Sequence, residues 1–328
     1  MWVAMTVSLL LWASAFPGVR EGLALAGETP GIDGYGAGEL ALLRFGTASV
    51  ALLLVALATR MRLPDRADIP RIALAGVFGF FGYHVLFNFG ERVVESAASA
   101  VLIGLSPIFT AVLATIFLGE RLNVFGWAGI AVSFSGAALV ALGQGATAST
   151  FEPATLLLLA AAFSTSMYFF IGKPILAKYR SIEFTAYAIW AGTLPMLIFA
   201  PSLIHQMSTV PVTSTVAGVY LGVFPGAIAY ALWSIGLARM TASRTAAFLY
   251  LQPLNAAIIA YFWGEPWPEA LVIIGGLVAI GGVIIVNTLG KPRAAAPADG
   301  VAVGDGSPAD GDLAEMLDET AEAALEQV

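Results

Sequence analysis

The sequence predicts an all-α membrane protein of ten transmembrane helices, arranged as two inverted five-helix repeats. Three observations carry that expectation. Of the 328 residues, 59% are hydrophobic and only 11% charged, with a mean hydropathy of +0.85, so there are too few polar side chains to coat a surface facing water. The apolar residues gather into long runs of membrane-crossing length. And the stretch "SPIFTAVLATIFLGE" at 106–120 returns as "QPLNAAIIAYFWGE" at 252–265, a proline-broken apolar segment used twice.

Ten apolar runs lie near 4–24, 38–59, 70–90, 96–118, 123–142, 154–173, 182–202, 214–238, 244–263 and 268–289. Each approaches the roughly 20 residues needed to cross a hydrocarbon core of about 30 Å. Helix is favoured over strand because the runs lack apolar/polar alternation and because lipid requires each segment to satisfy its own backbone. A cleavable leader is disfavoured for the first run, which lacks the basic residues that open such peptides. With the N-terminus cytoplasmic, the inner connections collect Arg60, Arg62, Arg66, Arg71, Arg121, Lys173, Lys178, Arg180, Arg239, Arg244, Lys291 and Arg293, against Arg92 outside. That asymmetry is the positive-inside pattern.

The formal net charge of −7 conceals two regions. Nine of the 22 acids follow the last run, where no Lys or Arg occurs after Arg293, leaving fifteen basic residues against thirteen acids in the rest. The segment 291–328 reads as an acidic, disordered cytoplasmic tail, rich in Pro, Gly, Ala and Asp, with Leu313, Leu317, Ala321 and Leu325 at helical spacing near its end. The absence of cysteine removes disulfides and thiol chemistry from consideration.

The duplication extends beyond the opening stretch. At an offset of 146, Gly79 matches Pro225, His84 matches Tyr230, Asn88 matches Ser234, Ser106-Pro107 matches Gln252-Pro253, Gly129 matches Gly275 and Gly136 matches Gly282. The repeats are assigned to 1–145 and 146–290. A five-helix unit has an odd number of crossings, so its second copy enters the membrane upside down, as in many secondary transporters with a site near the midplane. Pro17, Pro107, Pro225 and Pro253 are expected to kink helices beside that site. In particular, Pro107 and Pro253 are placed about ten residues inside a span, freeing the carbonyls of Ile103 and Leu249. The Gly-Glu pairs at 119–120 and 264–265 read as helix ends, with the acid near the start of the next helix. Small residues at 129, 133 and 136, and at 275, 279 and 282, are read as packing faces.

The runs "LLLWASAFPGVREGLA", "LLRF", "SPIFTAVLATIFLGERLNVFGWAGIAVSFSGAALV" and "LYLQPLNAAIIAYFWGEPWPEALVIIGGLVAIGGVIIV" resemble the EamA-type repeats of the drug/metabolite transporter superfamily. The resemblance covers about residues 4 to 289. It implies ten helices, both termini cytoplasmic, and movement of small organic metabolites, often outward. One departure is spacing: twelve positions separate Pro253 from Glu265, against thirteen from Pro107 to Glu120.

Polar residues at membrane depth are site candidates because they are costly to bury unpaired. His84 and Asn88 share a helix face, and Tyr230 and Ser234 hold the matching positions. Trp12 and Ser14 beside Pro17, Ser164 and Tyr168 in "FSTSMYFF", and Gln252 and Asn255 around Pro253 complete the substrate-binding set. Each also has a packing reading, since aromatic and hydroxyl residues pack membrane helices as readily as they line a site. Arg44 is read chiefly as a structural ion pair with Glu21 or Glu39, with snorkelling or a substrate carboxylate as the other readings. No acid lies in the middle of a run, so proton coupling, if any, falls to His84.

The function expected is a secondary transporter of amino-acid-like or amphiphilic metabolites, an exporter by the resemblance, working by alternating access in the cell (plasma or inner) membrane. An intramembrane enzyme is disfavoured, because no catalytic set, metal site or paired carboxylates can be found and histidine occurs only at 84 and 205. A sensor or assembly component acting through the acidic tail is the alternative. No cofactor, metal or nucleic acid is expected. The partners are the small substrate, the lipid bilayer and, as an option left open, a second copy of the chain.

Overall fold

The computed structural model describes residues 2–25, 27–117, 122–143, 153–176, 178–233 and 251–290. The acidic tail, Ser234, Gly119 and Glu120 lie outside the described residues. What is described is helical, with no strands beyond two isolated bridges in the connection between the first two helices, Leu23 to Tyr35 and Pro30 to Gly34.

The helices are α1 (Trp2–Gly22), α2 (Ala37–Thr59), α3 (Ile69–Glu91), α4 (Ser96–Ile103), α5 (Ser106–Phe117), α6 (Val124–Gly143), α7 (Pro153–Leu176), α8 (Ser181–Gln206), α9 (Val212–Trp233), α10 (Gln252–Phe262) and α11 (Ala270–Thr288). Six of them, α1, α2, α3, α7, α8 and α9, are long and apolar enough to cross a membrane, and Ser96–Thr110, Val124–Val140 and Ala270–Val286 are shorter apolar helices. Their outward faces are greasy: Leu54 and Leu57 on α2 are 64% and 68% exposed, Leu194 and Ile198 on α8 65% and 68%. Such a surface suits lipid and not water.

Two helices contain a widened turn. In α3 the turn spans Val77–Gly82, and in α9 it spans Gly222–Ile228. The 146-residue offset carries 77–82 onto 223–228, so both halves loosen their backbone at the same place. A π turn leaves the regular hydrogen-bond ladder out of step, and such turns are uncommon except at functional sites. Pro225 fits there because the widened turn already lacks a regular bond that its missing N–H would have supplied. Side chains from the other half engage both loosened segments. The Ser164 hydroxyl on α7 donates to the Phe78 carbonyl at 2.7 Å, and the Trp12 indole on α1 donates to the Pro225 carbonyl at 3.1 Å.

The prolines at 107 and 253 act differently from the kinks expected of them. The chain turns at Gly104 and Leu105, and Ser106-Pro107 opens a new helix. Pro253 likewise sits in the first turn of α10. At a helix start the missing N–H costs nothing, since that donor has no partner within the helix. These two residues therefore sit in the first turns of helices, whereas Pro17 lies inside α1. Leu249, whose carbonyl Pro253 was expected to free, lies outside the described residues.

α6 and α11 pack along a glycine seam. A methyl added at Gly129 would stand 2.8 Å from the Gly282 carbonyl oxygen, and one at Gly136 would stand 2.6 Å from that of Gly275. The offset of 146 carries the first contact onto the second, and the pairing of 129 with 282 and 136 with 275 makes the two helices antiparallel. Ser133 donates to the Ala279 carbonyl at 2.9 Å in the same seam.

The connections gather at two ends. At one, Lys178 pairs with Asp65 and Asp68, and the Tyr179 hydroxyl donates to Asp68 at 2.8 Å while accepting from the Asp65 amide. The α2–α3 and α7–α8 connections are therefore neighbours. Those bonds, from Lys178 first and Tyr179 second, hold the Asp68 carboxyl below its ordinary range. At the other end, Arg20 near the end of α1 donates to the Glu91 and Val94 carbonyls, Arg92 donates to Ala24, and the Gly36 amide donates to Gln206. The start of α7 lies there too, with Leu158 and Ala154 against Gly90. α1 thus finishes where its counterpart α7 begins.

Glu265 shows where the punctuation reading falls short. Gly264 does adopt a left-handed conformation, with φ of +100°. Its neighbour Glu265, however, serves a different helix: it accepts from the amide and hydroxyl of Ser96, at the start of α4, and lies 3.6 Å from Arg20. Negative charge at a helix N-terminus is favourable, here across the two halves.

Candidate functional site

A cavity of about 120 Å3 lies between the halves. α1 supplies Trp12 and Phe16, α2 supplies Arg44, and α3 supplies Tyr83, His84 and Phe87 just after its π turn. Ser106 enters from the break before α5, Thr165 from α7, Tyr230 from α9 after its own π turn, and Gln252 from the start of α10. Two pairs matched by the sequence repeat, His84 with Tyr230 and Ser106 with Gln252, therefore share one wall. The turn before α5 and the start of α10 explain this placement: each brings the residue before its proline to the hollow.

The wall is aromatic with a few polar groups. His84 is 2% exposed and sits 4.3 Å from both the Phe45 and Tyr83 rings, centroid to centroid. Trp12 meets Tyr230 edge-on at 5.0 Å and Trp233 at 4.8 Å. Phe16 and Phe87 pack edge-to-face at 5.4 Å. Several buried polar atoms have no hydrogen-bond partner: Nε and Nη1 of Arg44, both ring nitrogens of His84, and Oε1 of Gln252. Buried polar groups are nearly always paired, so a cluster of orphans around one hollow marks a place for a polar ligand or water.

Of the residues singled out from sequence, Trp12, His84, Tyr230 and Gln252 line this cavity. Others are engaged elsewhere. Ser14 bonds the Leu11 carbonyl and the Tyr220 hydroxyl. Asn88 donates to the Ala37 carbonyl at 2.9 Å, leaving only its Oδ1 unpaired. Ser164 holds the π turn of α3, and the Tyr168 ring stacks on Phe184. Asn255 is half-buried on α10, and Ser234 lies outside the described residues.

Arg44 overturns the ion-pair reading. It is 3% exposed, so it does not snorkel, and none of the salt bridges among the described residues involves it. Glu21 is exposed and Glu39 is half-buried in the first turn of α2. Five residues of helix put Glu39 and Arg44 about 140° apart around the axis. The charged groups around Arg44 include Glu91 at the end of α3. Glu91 is fully buried, with both carboxylate oxygens lacking a hydrogen bond. Sequence reading passed over it because it falls one residue beyond the expected run. Tyr83, Phe87 and Thr165 were also missed, although adjacency to His84 was a usable signal for Tyr83.

A larger hollow of about 620 Å3 opens beside α2, lined by Leu42, Leu43, Val50, Leu54 and neighbours. Thr47, its hydroxyl-bearing member, bonds its own helix at Leu43. It is a lipid-facing depression and brings no chemistry together.

A lipid-facing helical body with two like halves and an internal polar hollow defines a multi-pass membrane transporter. The chain belongs to the EamA-like transporter family, which matches residues 2–142 and again 153–288. It is a transporter of small molecules and not an enzyme. Among curated relatives, the "Probable terminal-alkyne amino-acid exporter" of Streptantibioticus cattleyicolor is 40% identical over 294 residues, covering 89% of this chain and 95% of that one. The "Uncharacterized transporter YdfC" of Bacillus subtilis is 39% identical over 285 residues, covering 86% and 90%. A solved structure, "Crystal structure of protein", shares the fold with a TM-score of 0.56 at 20% identity, covering 88% of this chain and 96% of that one.

Proposed function

We propose that this protein is a secondary transporter that exports small amino-acid-like or amphiphilic metabolites across the cell membrane. In this reading ten helices form two inverted repeats, 1–145 and 146–290, with both termini cytoplasmic, and alternating access opens the shared cavity first to one side and then to the other. The observation that carries it is the meeting of matched residues from the two halves, His84 with Tyr230 and Ser106 with Gln252, next to paired π turns. Loosened backbone beside a polar hollow is what a moving wall needs. The antiparallel seam of α6 with α11 and the opposite courses of α1 and α7 support inversion. The basic residues of the inner connections support the orientation, and the name of the Streptantibioticus relative supports outward movement of an amino-acid-like compound.

The test compares metabolites released by cells with and without the protein, then follows candidate compounds in liposomes with and without a proton gradient. Faster release of a defined compound, reproduced with purified protein, is the expected result. Identical release profiles together with no flux in liposomes would sink the proposal.

A further inference from the structure

The geometry points to Arg44 as the group that recognises a carboxylate on the transported molecule. This rests on the transport reading above and narrows it to a substrate class. Arg44 lines the cavity, is 3% exposed, and has Nε and Nη1 without a partner. A guanidinium stays charged at any physiological pH and presents donors in a planar fork that matches a carboxylate. Charged groups in this position within a membrane protein are retained where they meet an ion, a substrate or a water-filled hollow.

The neighbouring charges leave that role to Arg44. Arg20 is already engaged by the Glu91 and Val94 carbonyls and by Glu265. Glu91 contributes to the field at Arg44 but stands in no ion pair with it among the described residues. Nε and Nη1 of Arg44 are therefore unfilled, which suits a ligand that binds and leaves.

The remaining wall describes the rest of the molecule. Gln252 Oε1 is a buried acceptor without a partner and can receive an ammonium N–H. Trp12, Phe16 and Phe87 offer aromatic faces to an apolar side chain. At about 120 Å3 the hollow is smaller than the roughly 300–1,000 Å3 of drug-sized pockets, so it suits a compact zwitterionic head with a short apolar tail.

The experiment uses the full chain in liposomes and measures counterflow of phenylalanine and leucine against their carboxamides, which keep the ammonium and side chain but lose the carboxylate. A site built to bond a group rejects analogues that lack it, so wild type should favour each acid over its amide by about tenfold or more. Arg44→Gln should erase that preference by lowering acid flux while leaving amide flux within about twofold, and Arg44→Lys should fall between. Equal wild-type flux of acid and amide would overturn the assignment, and this arm needs no variant to fold. Arg44→Gln lowering both to the same extent would also overturn it, making the residue a structural one. If wild type moves none of the four while exporting from cells a compound that has no carboxylate, the carboxylate assignment is wrong and the carrier reading stands. If nothing moves in either system, the carrier reading falls as well.

Discussion

The α6/α11 seam and the walls of the central cavity descend from one duplication, yet they are opposites in packing. In the seam, carbonyls of one helix lie where a methyl on the other would collide, and the buried Ser133 hydroxyl is paired. Around the cavity the helices carry π turns or break, and polar atoms of Arg44, His84 and Gln252 stand unpaired. Close backbone approach holds helices together in lipid, where no hydrophobic force separates protein from tail. Loosened backbone beside unpaired groups forgoes such close contact around the hollow. The same repeat therefore builds a close-packed seam and a looser polar hollow by placing glycine in one and proline, histidine and glutamine in the other.

The largest effect should come from filling the seam. Gly136→Leu forces a branched side chain onto the Gly275 carbonyl and the Ala279 backbone, costing roughly 1–3 kcal/mol or more. The readout is folded, monodisperse protein after extraction and its melting temperature; unchanged stability would remove the seam from the contrast. Water access should separate the regions next. Because the chain has no cysteine, His84→Cys, Asn88→Cys, Tyr230→Cys and Ser234→Cys can each be probed with a soluble thiol reagent. Position 84 and position 230 should react in at least one condition, roughly tenfold or more faster than Ser133→Cys. Equal protection of positions 84, 230 and 133 would argue that the hollow never becomes wet.

A milder change tests the link between wall and scaffold. Trp12→Phe keeps an aromatic ring beside Tyr230 but leaves the Pro225 carbonyl without its donor. The expected cost is about 1 kcal/mol in stability, with flux reduced only severalfold; abolished flux with full stability would make Trp12 a ligand contact first. The smallest effect belongs to the Lys178 clasp, an exposed ion pair of the kind that contributes little. Its sign is nevertheless defined. The Asp68 carboxyl is held low by Lys178 and then Tyr179, so the contribution is full above the ordinary carboxylate value of about 3.9 and fades as pH falls through the lowered one. Melting curves of wild type and Lys178→Ala should differ slightly at neutral pH and converge in acid.

The helical body and its duplication were legible because both are written in composition and spacing. Runs of membrane length announce helices, and matches such as His84 with Tyr230 survive in the offset. The π turns were not legible. "VFGFFG" at 77–82 contains no proline, and a slipped hydrogen-bond ladder depends on what packs against it. Arg44 failed for a related reason: two acids lay near in sequence, but rotation around α2 decides what it faces. Ser164 was singled out as a substrate contact, while the partner it has, a loosened carbonyl on α3, could be seen only in three dimensions.

Glu265 has a consequence for how the molecule comes to exist. It closes the second copy of the duplicated segment yet supplies the acceptor for the Ser96 amide at the head of a helix in the first, as Ser164 and Trp12 trade donors in both directions. Neither copy carries its own complement of stitches. A ribosome that has finished only the first 145 residues has therefore made something with open ends, and the protein becomes whole only when the later half arrives to complete the earlier one.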